Sequence, residues 1–275
     1  MTDKAVIKLP VWKTARETYR YTRRHLRLLL LPVLLLFVAE ASTTYLTLLA
    51  KGHVWLDMRP VWPVLCSVIE FSFVVGLHRA VMLGEEFGGA AFFRWDRHLG
   101  RYGMAAIKLS FGLLALVIAL LWLTHGYLDK LHSLPIWQHA AVVALILPLA
   151  YLMVRVSLAF PAAALGEDRI FRLSWRATRG NTVRLLVTYL LVAVTALIVG
   201  GVVLIPFLAA GALAGLDRDI VKTGLAVLSD SVIETIATVL LTVMISLSYR
   251  ILTPPQPAEP GLEAPSAARQ PASTR

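Results

Sequence analysis

The sequence predicts an all-α fold, a polytopic membrane bundle of six transmembrane helices arranged as three hairpins, each preceded by a basic interfacial helix. Three observations support this prediction. Hydrophobic residues make up 57% of the chain and charged residues only 16%, with a mean hydropathy of +0.70, whereas about a quarter of residues are charged in soluble domains. The apolar residues fall into six long runs. Basic residues collect before alternate runs.

Each apolar run has about the 20 residues that a helix needs to cross roughly 30 Å of hydrocarbon. The fifth run is the longest, and Gly200, Gly201 and Pro206 within it favour a kink or a tilt. We expect Asn181 or Thr182 to cap the helix that carries this run. The six predicted spans cover residues 28–49, 61–83, 104–123, 140–160, 185–213 and 225–247.

The chain divides into three parts. Residues 1–27 form a basic amphipathic segment, residues 28–252 the membrane domain, and residues 253–275 a tail rich in Pro, Ala and Ser that we expect to be disordered. The basic start followed by an apolar run resembles a signal peptide, but the leader is long and hydrophobicity resumes through residues 45–49, so retention is expected. The single cysteine, Cys66, excludes a disulfide framework.

Basic residues are distributed unevenly between the two sides of the predicted membrane. One set of segments holds 22 lysines and arginines, and the alternate set holds five. Cytoplasmic loops carry such an excess of basic residues. We therefore predict a multi-pass protein of the bacterial inner membrane with both termini in the cytoplasm. The net charge of +10 then belongs to a membrane surface, and no basic soluble module predicts nucleic-acid binding.

The basic residues before alternate spans follow steps of three and four, which keep side chains on one face of a helix. Trp12, Trp95 and Trp175 lie near them, as tryptophans do in a headgroup layer. We predict that these stripes bind anionic phospholipid headgroups; the alternative is that they only fix the topology. The residues predicted to bind lipid are Arg16, Arg20, Arg94, Arg97, Arg101, Arg169, Arg172, Arg176 and Arg179.

Ionisable residues also occur inside the predicted spans, where a charge is costly and faces the bundle interior. One interpretation is a cation or proton path, or a pocket for a polar headgroup. The other is a structural set of hydrogen bonds, with carboxylates that are protonated or paired with Arg155. The intramembrane polar residues are Glu40, Glu70, Arg155, Asp230 and Glu234.

Motifs of catalysis are missing from the sequence. We find no nucleophile elbow, no zinc-protease motif, no P-loop and no dinucleotide-binding glycine pattern. The acidic pairs Glu85–Glu86 and Glu167–Asp168 lie beside arginines and are expected to form ion pairs. The sequence therefore predicts no catalytic residue, no metal site and no cofactor.

The basic stripe recurs before the first, third and fifth spans, which suggests a threefold repeat of basic helix, span, short outer loop and span. Short echoes accompany it: the tripeptide Leu-Gly-Glu occurs at residues 83–85 and again at 165–167, and Phe-Arg follows each copy. We therefore expect an internal duplication, although the echoes are short and made of common residues.

Two stretches carry a resemblance to a known family: YLMVRVSLAFPAAALGEDRIFRLSWRATRGN at 151–181 and LHRAVMLGEE at 77–86. They resemble bacterial six-span proteins related to the membrane domain of glycerophosphoryl diester phosphodiesterases. The resemblance is close in these stretches and loose over the rest of the membrane region. It implies architecture only, since we find no phosphodiesterase domain with its acidic and histidine metal ligands. The matching positions are Arg155, Pro161, Ser174, Trp175, Thr178, Arg179 and Gly180.

We therefore expect a non-enzymatic membrane protein with an accessory role, binding anionic lipid or a partner. The alternative is a small transporter or channel that uses the intramembrane acids. A protein partner and homo-oligomerisation stay open at this point.

Overall fold

The computed structural model describes residues 7–49, 61–85, 96–123, 147–213 and 218–254. Within these ranges every regular element is a helix, and no strand occurs. The all-α class is therefore confirmed. In chain order the helices are α1 (Val11–Arg24), α2 (Leu26–Leu49), α3 (Val61–Leu83), α4 (Arg97–Leu123), α5 (147–156), α6 (Ala159–Ala164), α7 (Ile170–Ala177), α8 (Thr182–Leu213) and α9 (Arg218–Leu252).

Five helical segments of the described chain are long and apolar enough to cross a membrane, as expected of a multi-pass membrane protein. The predicted span at 104–123 lies within α4, which is not one of the five, and the span at 140–160 is described only from residue 147. Six spans in three hairpins therefore stay a prediction. The five segments are Leu26–Leu46, Trp62–Leu83, Leu147–Ala164, Thr182–Phe207 and Thr223–Leu252.

Helix α9 lies at the centre of the bundle, packed against α1, α2, α3 and α8. It runs parallel to α3, because His78 contacts Ser246 and the carbonyl of Val81 faces Arg250. Helices α2 and α8 run in the opposite direction to α9. One end of the bundle, which we call the basic end, therefore holds the start of α2, the end of α3, the start of α8 and the end of α9.

The close packing of α8 against α9 depends on a glycine. A Cβ atom at Gly200 would lie 2.7 Å from Cγ1 of Ile233, so only a residue without a side chain fits there. Gly201 faces open space, and neither glycine nor Pro206 interrupts α8. Small residues at such contacts let membrane helices approach closely. A kink was expected at these residues, and the structure has an uninterrupted helix there, with Gly200 in contact with α9.

The apolar surface of α8 faces outward. Only 22% of its membrane-spanning window is buried, against 56% for α9. Its exposed side chains recur at helical spacing, so one continuous apolar face is left for lipid. That face includes Val183, Val187, Leu190, Val194, Leu197 and Ile198.

The three basic stripes differ in structure. The first lies on α1, a separate amphipathic helix that a turn at His25 divides from α2. In the second, Arg97 and Arg101 belong to the first turns of α4 itself, so among the described residues no separate interfacial helix precedes it. The third includes the short α7 and its flanks, with Arg169 in a left-handed conformation (φ 55°) before the helix.

The two Leu-Gly-Glu echoes share a local structure. Gly84 (φ 67°) ends α3 and Gly166 (φ 80°) ends α6, both in the left-handed region. At the second copy the N–H groups of Gly166 and Glu167 donate to the carbonyls of Ala163 and Ala162, each at 3.0 Å. That pattern is a Schellman motif. The repeat itself stays a prediction.

Candidate functional site

The chain before α1 is held by the turn that connects α7 to α8. The amide of Asn181 accepts a hydrogen bond from the N–H of Leu9 at 2.8 Å and donates one to the carbonyl of Ile7 at 2.7 Å. Arg184 donates to the carbonyl of Leu9 at 3.1 Å. Leu9 and Asn181 are both buried. The sequence predicted only a helix cap at Asn181, whereas its side chain clamps the start of α1.

A second contact fixes the far part of α1. The hydroxyl of Tyr19 lies 2.8 Å from that of Thr195, and it also approaches the carbonyl of Leu191 at 3.4 Å. Leu9 thus meets the start of α8 and Tyr19 meets residues further along it, so α1 packs against the first part of α8. Burial raises the pKa of the Tyr21 hydroxyl above its usual value, and the nearby Arg250 guanidinium offsets only part of that rise.

Small residues form the inner face of α1. Thr14, Ala15 and Thr18 are buried there. The hydroxyl of Thr14 donates to the carbonyl of Pro10 at 3.0 Å, and that of Thr18 donates to the carbonyl of Thr14 at 2.9 Å. These bonds satisfy the buried hydroxyls within the helix, as buried polar groups require. The basic residues of the stripe are left on the opposite, exposed face.

A groove of about 780 Å³ lies between α1 and α8. Three basic residues of α1, spaced three and four apart, line the groove: Lys13, Arg16 and Arg20. The carboxylate of Glu17 also lines it and pairs with Arg20 at 2.7 Å. Within the described chain neither Lys13 nor Arg16 has an ion-pair partner. The groove is therefore positively charged. Its lining consists of Trp12, Lys13, Ala15, Arg16, Glu17, Tyr19, Arg20, Leu191 and Thr195.

The wall of the groove on α8 continues into apolar surface. Leu191 and Thr195 line the groove, and the exposed side chains of Leu190 and Val194 neighbour them in sequence. A molecule in the groove would thus meet cations and hydroxyls on one side and a hydrocarbon-like surface on the other. This arrangement complements an amphiphile with an anionic head.

The other residues predicted to bind lipid lie outside this groove. Arg94 falls outside the described residues. The remaining six are exposed, and Arg101 donates a hydrogen bond to the carbonyl of Gly166. They share an exposed position with the groove cations but do not line this groove. These six are Arg97, Arg101, Arg169, Arg172, Arg176 and Arg179.

The intramembrane acids lie together on three helices. The carboxyl of Glu40 on α2 is close enough to be repelled by that of Glu234 on α9, and to a smaller degree by those of Glu70 on α3 and Asp230 on α9. The hydroxyl of Thr44 donates to Asp230 at 3.0 Å. Within the described chain none of these carboxylates pairs with a cation. The structure does not bring Arg155 to them.

Arg155 lies elsewhere, in α5. Its guanidinium carbon is 4.0 Å from the centre of the Trp175 ring and 5.8 Å from that of Tyr151. Arg79, near the end of α3, pairs with Glu85 at 2.5 Å. The expected ion pairing of Glu85 is thus confirmed.

Sequence reasoning missed the groups that hold α1 and the residues before it against α8. The spacing of three and four identified the cationic face of α1, but the partners of that helix, Asn181, Arg184 and Thr195, lie more than 170 residues away. Nothing in a single sequence links positions so far apart. Among the described residues no group of three or more His, Cys, Asp or Glu side chains could hold a metal ion.

Comparison of the chain with models of known protein families, with curated proteins and with solved structures finds no match. The resemblance described above stays a prediction, and the site is interpreted from its geometry.

Proposed function

We propose that this protein is a non-enzymatic, multi-pass protein of the bacterial inner membrane that binds anionic phospholipid of the cytoplasmic leaflet. The observation that supports the proposal is the groove between α1 and α8, where Lys13, Arg16 and Arg20 stand beside the outward apolar face of α8. Both termini are cytoplasmic in this proposal, because the segments that hold 22 of the 27 basic residues then face the cytoplasm.

The groove extends from the headgroup layer into the membrane-spanning part of α8. The first membrane span begins at Leu26, directly after α1, so the end of α1 reaches the headgroup layer. Leu191 lies nine residues into α8, or about 14 Å from the start of that helix. A phosphate in the groove would contact the cations of α1, and the acyl chains would follow the apolar face of α8.

The energy of such binding comes from charge and apolar contact together. Each basic residue near an anionic membrane surface contributes about 1 kcal/mol before screening. Three groove cations therefore contribute up to about 3 kcal/mol, and the hydrocarbon chains add apolar contact along α8. Bound lipid would also cross-link α1 to α8. The accessory role is thus to order anionic lipid around the bundle.

Native mass spectrometry of the full chain, purified in a neutral detergent and supplied with phosphatidylglycerol or phosphatidylcholine, tests the proposal. We expect selective retention of phosphatidylglycerol. The triple variant Lys13→Gln, Arg16→Gln, Arg20→Gln should lose at least tenfold in affinity, since about 1.4 kcal/mol corresponds to each factor of ten.

The matched control is Arg23→Gln, Arg24→Gln, Arg27→Gln. It removes the same charge from exposed positions of the same basic segment that do not line the groove. Its loss should be threefold or less. Equal losses in the two variants would contradict the proposal, since the stripe would then act only through net charge and topology.

The convergence of four carboxyls favours a second candidate, a proton or cation path through the bundle. Glu40, Glu70, Glu234 and Asp230 lie on three neighbouring helices. Further towards the basic end, the imidazole of His78 contacts the hydroxyl of Ser246 at 2.7 Å, in the buried interior. Ionisable groups inside a membrane commonly serve such paths.

Proteoliposomes with an internal pH dye decide between the two candidates. A path predicts proton entry under an imposed gradient that falls at least fivefold in Glu40→Gln and in Glu234→Gln. The control is Glu17→Gln, a carboxylate in the groove of α1 and away from the acidic group. If the wild-type protein conducts no faster than empty liposomes, the second candidate is wrong.

A further inference from the structure

Arg155 carries a buried cation. It is only 5% exposed, and its Nε atom is buried and has no hydrogen-bond acceptor among the described residues. Neither of the ion pairs in the described part of the chain includes it. An arginine in such surroundings normally meets a carboxylate, a phosphate or backbone carbonyls.

Two aromatic rings lie near the guanidinium group of Arg155. Trp175 lies over the guanidinium carbon at 4.0 Å, and Tyr151 at 5.8 Å. A cation–π contact supplies no hydrogen-bond acceptor, so the rings stabilise the charge but leave the buried Nε–H edge of the guanidinium without an acceptor in the described part of the chain. That edge has the geometry that binds two oxygens of an oxyanion.

The backbone around this guanidinium is fixed. The carbonyl of Arg155 accepts a hydrogen bond from the hydroxyl of Ser174 at 2.8 Å. The hydroxyl of Thr178 lies 3.4 Å from the same carbonyl and donates to the carbonyl of Ser174 at 2.9 Å. Both hydroxyl residues are fully buried. They hold α7 against α5 and thereby place Trp175 over Arg155. The ring and the cation therefore form a prepared arrangement, in which little order is lost when a ligand binds.

The arrangement lies at the surface of the protein. Trp175 is 44% exposed and Tyr151 is 49% exposed, so both aromatic residues near the Arg155 guanidinium reach the surface. The exposed Arg172 and Arg176 flank Trp175 in sequence on α7. They raise the local concentration of anions next to the ring.

We propose that the Arg155 edge, beneath Trp175 and beside Tyr151, binds a phosphate-type oxyanion, supplied by a phospholipid headgroup or by free phosphate. The site is separate from the groove between α1 and α8 and does not depend on the function proposed for that groove.

Tryptophan emission of the full chain in neutral detergent provides the test. The signal of Trp175 is obtained as the difference between the wild-type spectrum and that of Trp175→Phe. One arm adds inorganic phosphate against sodium chloride of equal ionic strength, and the other adds phosphatidylglycerol against phosphatidylcholine. We expect a saturable change in at least one arm. A change with phosphate identifies a free-anion site, and a change with phosphatidylglycerol alone identifies a lipid site.

Two variants of Arg155 assign the signal. Arg155→Gln should weaken binding at least tenfold. Arg155→Lys keeps the charge without the planar fork, so it should fold and weaken binding threefold or more. If Arg155→Gln does not fold, Arg155→Lys decides alone. No saturable change in either arm, or unchanged affinity in the folded Arg155 variants, overturns the proposal.

The groove variant Lys13→Gln, Arg16→Gln, Arg20→Gln serves as the matched control. The Trp175 signal should persist in it with unchanged midpoint. If the signal disappears there and survives in the Arg155 variants, it reports the groove, and the Arg155 site is wrong. The two proposals can therefore fail separately.

Discussion

Asn181 holds Leu9 across 172 residues of sequence, with its side-chain oxygen 2.8 Å from the Leu9 nitrogen. Its amide nitrogen also donates to the carbonyl of Ile7, so one buried side chain satisfies two backbone groups. This contact gives α1 its position beside α8 and therefore shapes the groove.

Removing the amide should loosen α1. Asn181→Ala leaves the buried N–H of Leu9 without an acceptor, which costs about 1–3 kcal/mol. We expect faster amide hydrogen exchange in residues 7–24 and little change in α3. Asn181→Asp should have a smaller effect, because it keeps an acceptor for Leu9. Arg179→Ala, an exposed neighbour in the same turn, is the control. Unchanged exchange in Asn181→Ala would show that α1 docks without the clamp.

Gly200 and Gly201 form a pair for testing the α8–α9 contact. Gly200→Ala places a Cβ 2.7 Å from Ile233, so side chains must shift, at a cost of about 1–3 kcal/mol that outweighs the gain of about 0.5–1 kcal/mol in helix propensity. Gly201→Ala meets open space and should be neutral or stabilising. Thermal unfolding in detergent measures both. Ile233→Ala should restore part of the loss in Gly200→Ala; a loss that persists there would place its origin elsewhere.

Gly84 and Gly166, which end α3 and α6, allow the backbone strain of a positive φ to be separated from steric crowding of an added Cβ atom. Each has a positive φ, so alanine at either position costs about 1–2 kcal/mol of backbone strain. Gly84 has open space around it, whereas a Cβ at Gly166 would lie 2.9 Å from His98. Gly166→Ala should therefore destabilise the protein more than Gly84→Ala in the same unfolding experiment. His98→Ala should reduce that difference; equal destabilisation of the two glycine variants would contradict the crowding.

Topology can be tested by labelling in cells. Tags at both termini should report the cytoplasm, and a cysteine replacing Asp129 should react with a membrane-impermeant maleimide added outside. The background is Cys66→Ser, although the native thiol is only 6% exposed and should label poorly. Labelling of either terminus from outside would reverse the proposed orientation.

The hydropathy pattern predicted which segments are helical better than it predicted the residues at which the helices begin and end. The second predicted span, 61–83, coincides with α3, because the left-handed Gly84 stops the helix where the apolar run stops. The sixth, 225–247, falls short of α9, which runs from Arg218 to Leu252. An apolar run marks only the part of a helix that suits hydrocarbon, and backbone hydrogen bonding continues through Arg218 and Arg250 beyond it.

The sequence predicted the basic face of α1 in the candidate site but not the contacts of α1 with α8. The three–four spacing correctly placed Arg16 and Arg20 on an exposed face of α1, since that periodicity is local. The hydroxyl pair of Tyr19 and Thr195 depends on tertiary packing, which no local pattern encodes. The same holds for Arg155. The sequence predicted its position inside a span, but the contact between Arg155 and Trp175 could not be predicted, because the sequence pattern treats the two residues separately.

The contact between Tyr19 and Thr195 has a consequence for biosynthesis. The two residues are 176 positions apart, so α1 leaves the ribosome long before its binding surface on α8 exists. At roughly 5–20 residues per second, the delay is about 9–35 s. During that interval the surface of α8 on which the basic helix docks is absent, and an anionic membrane surface is the place where its charges are best accommodated. The first helix to be translated is thus among the last to reach its final position.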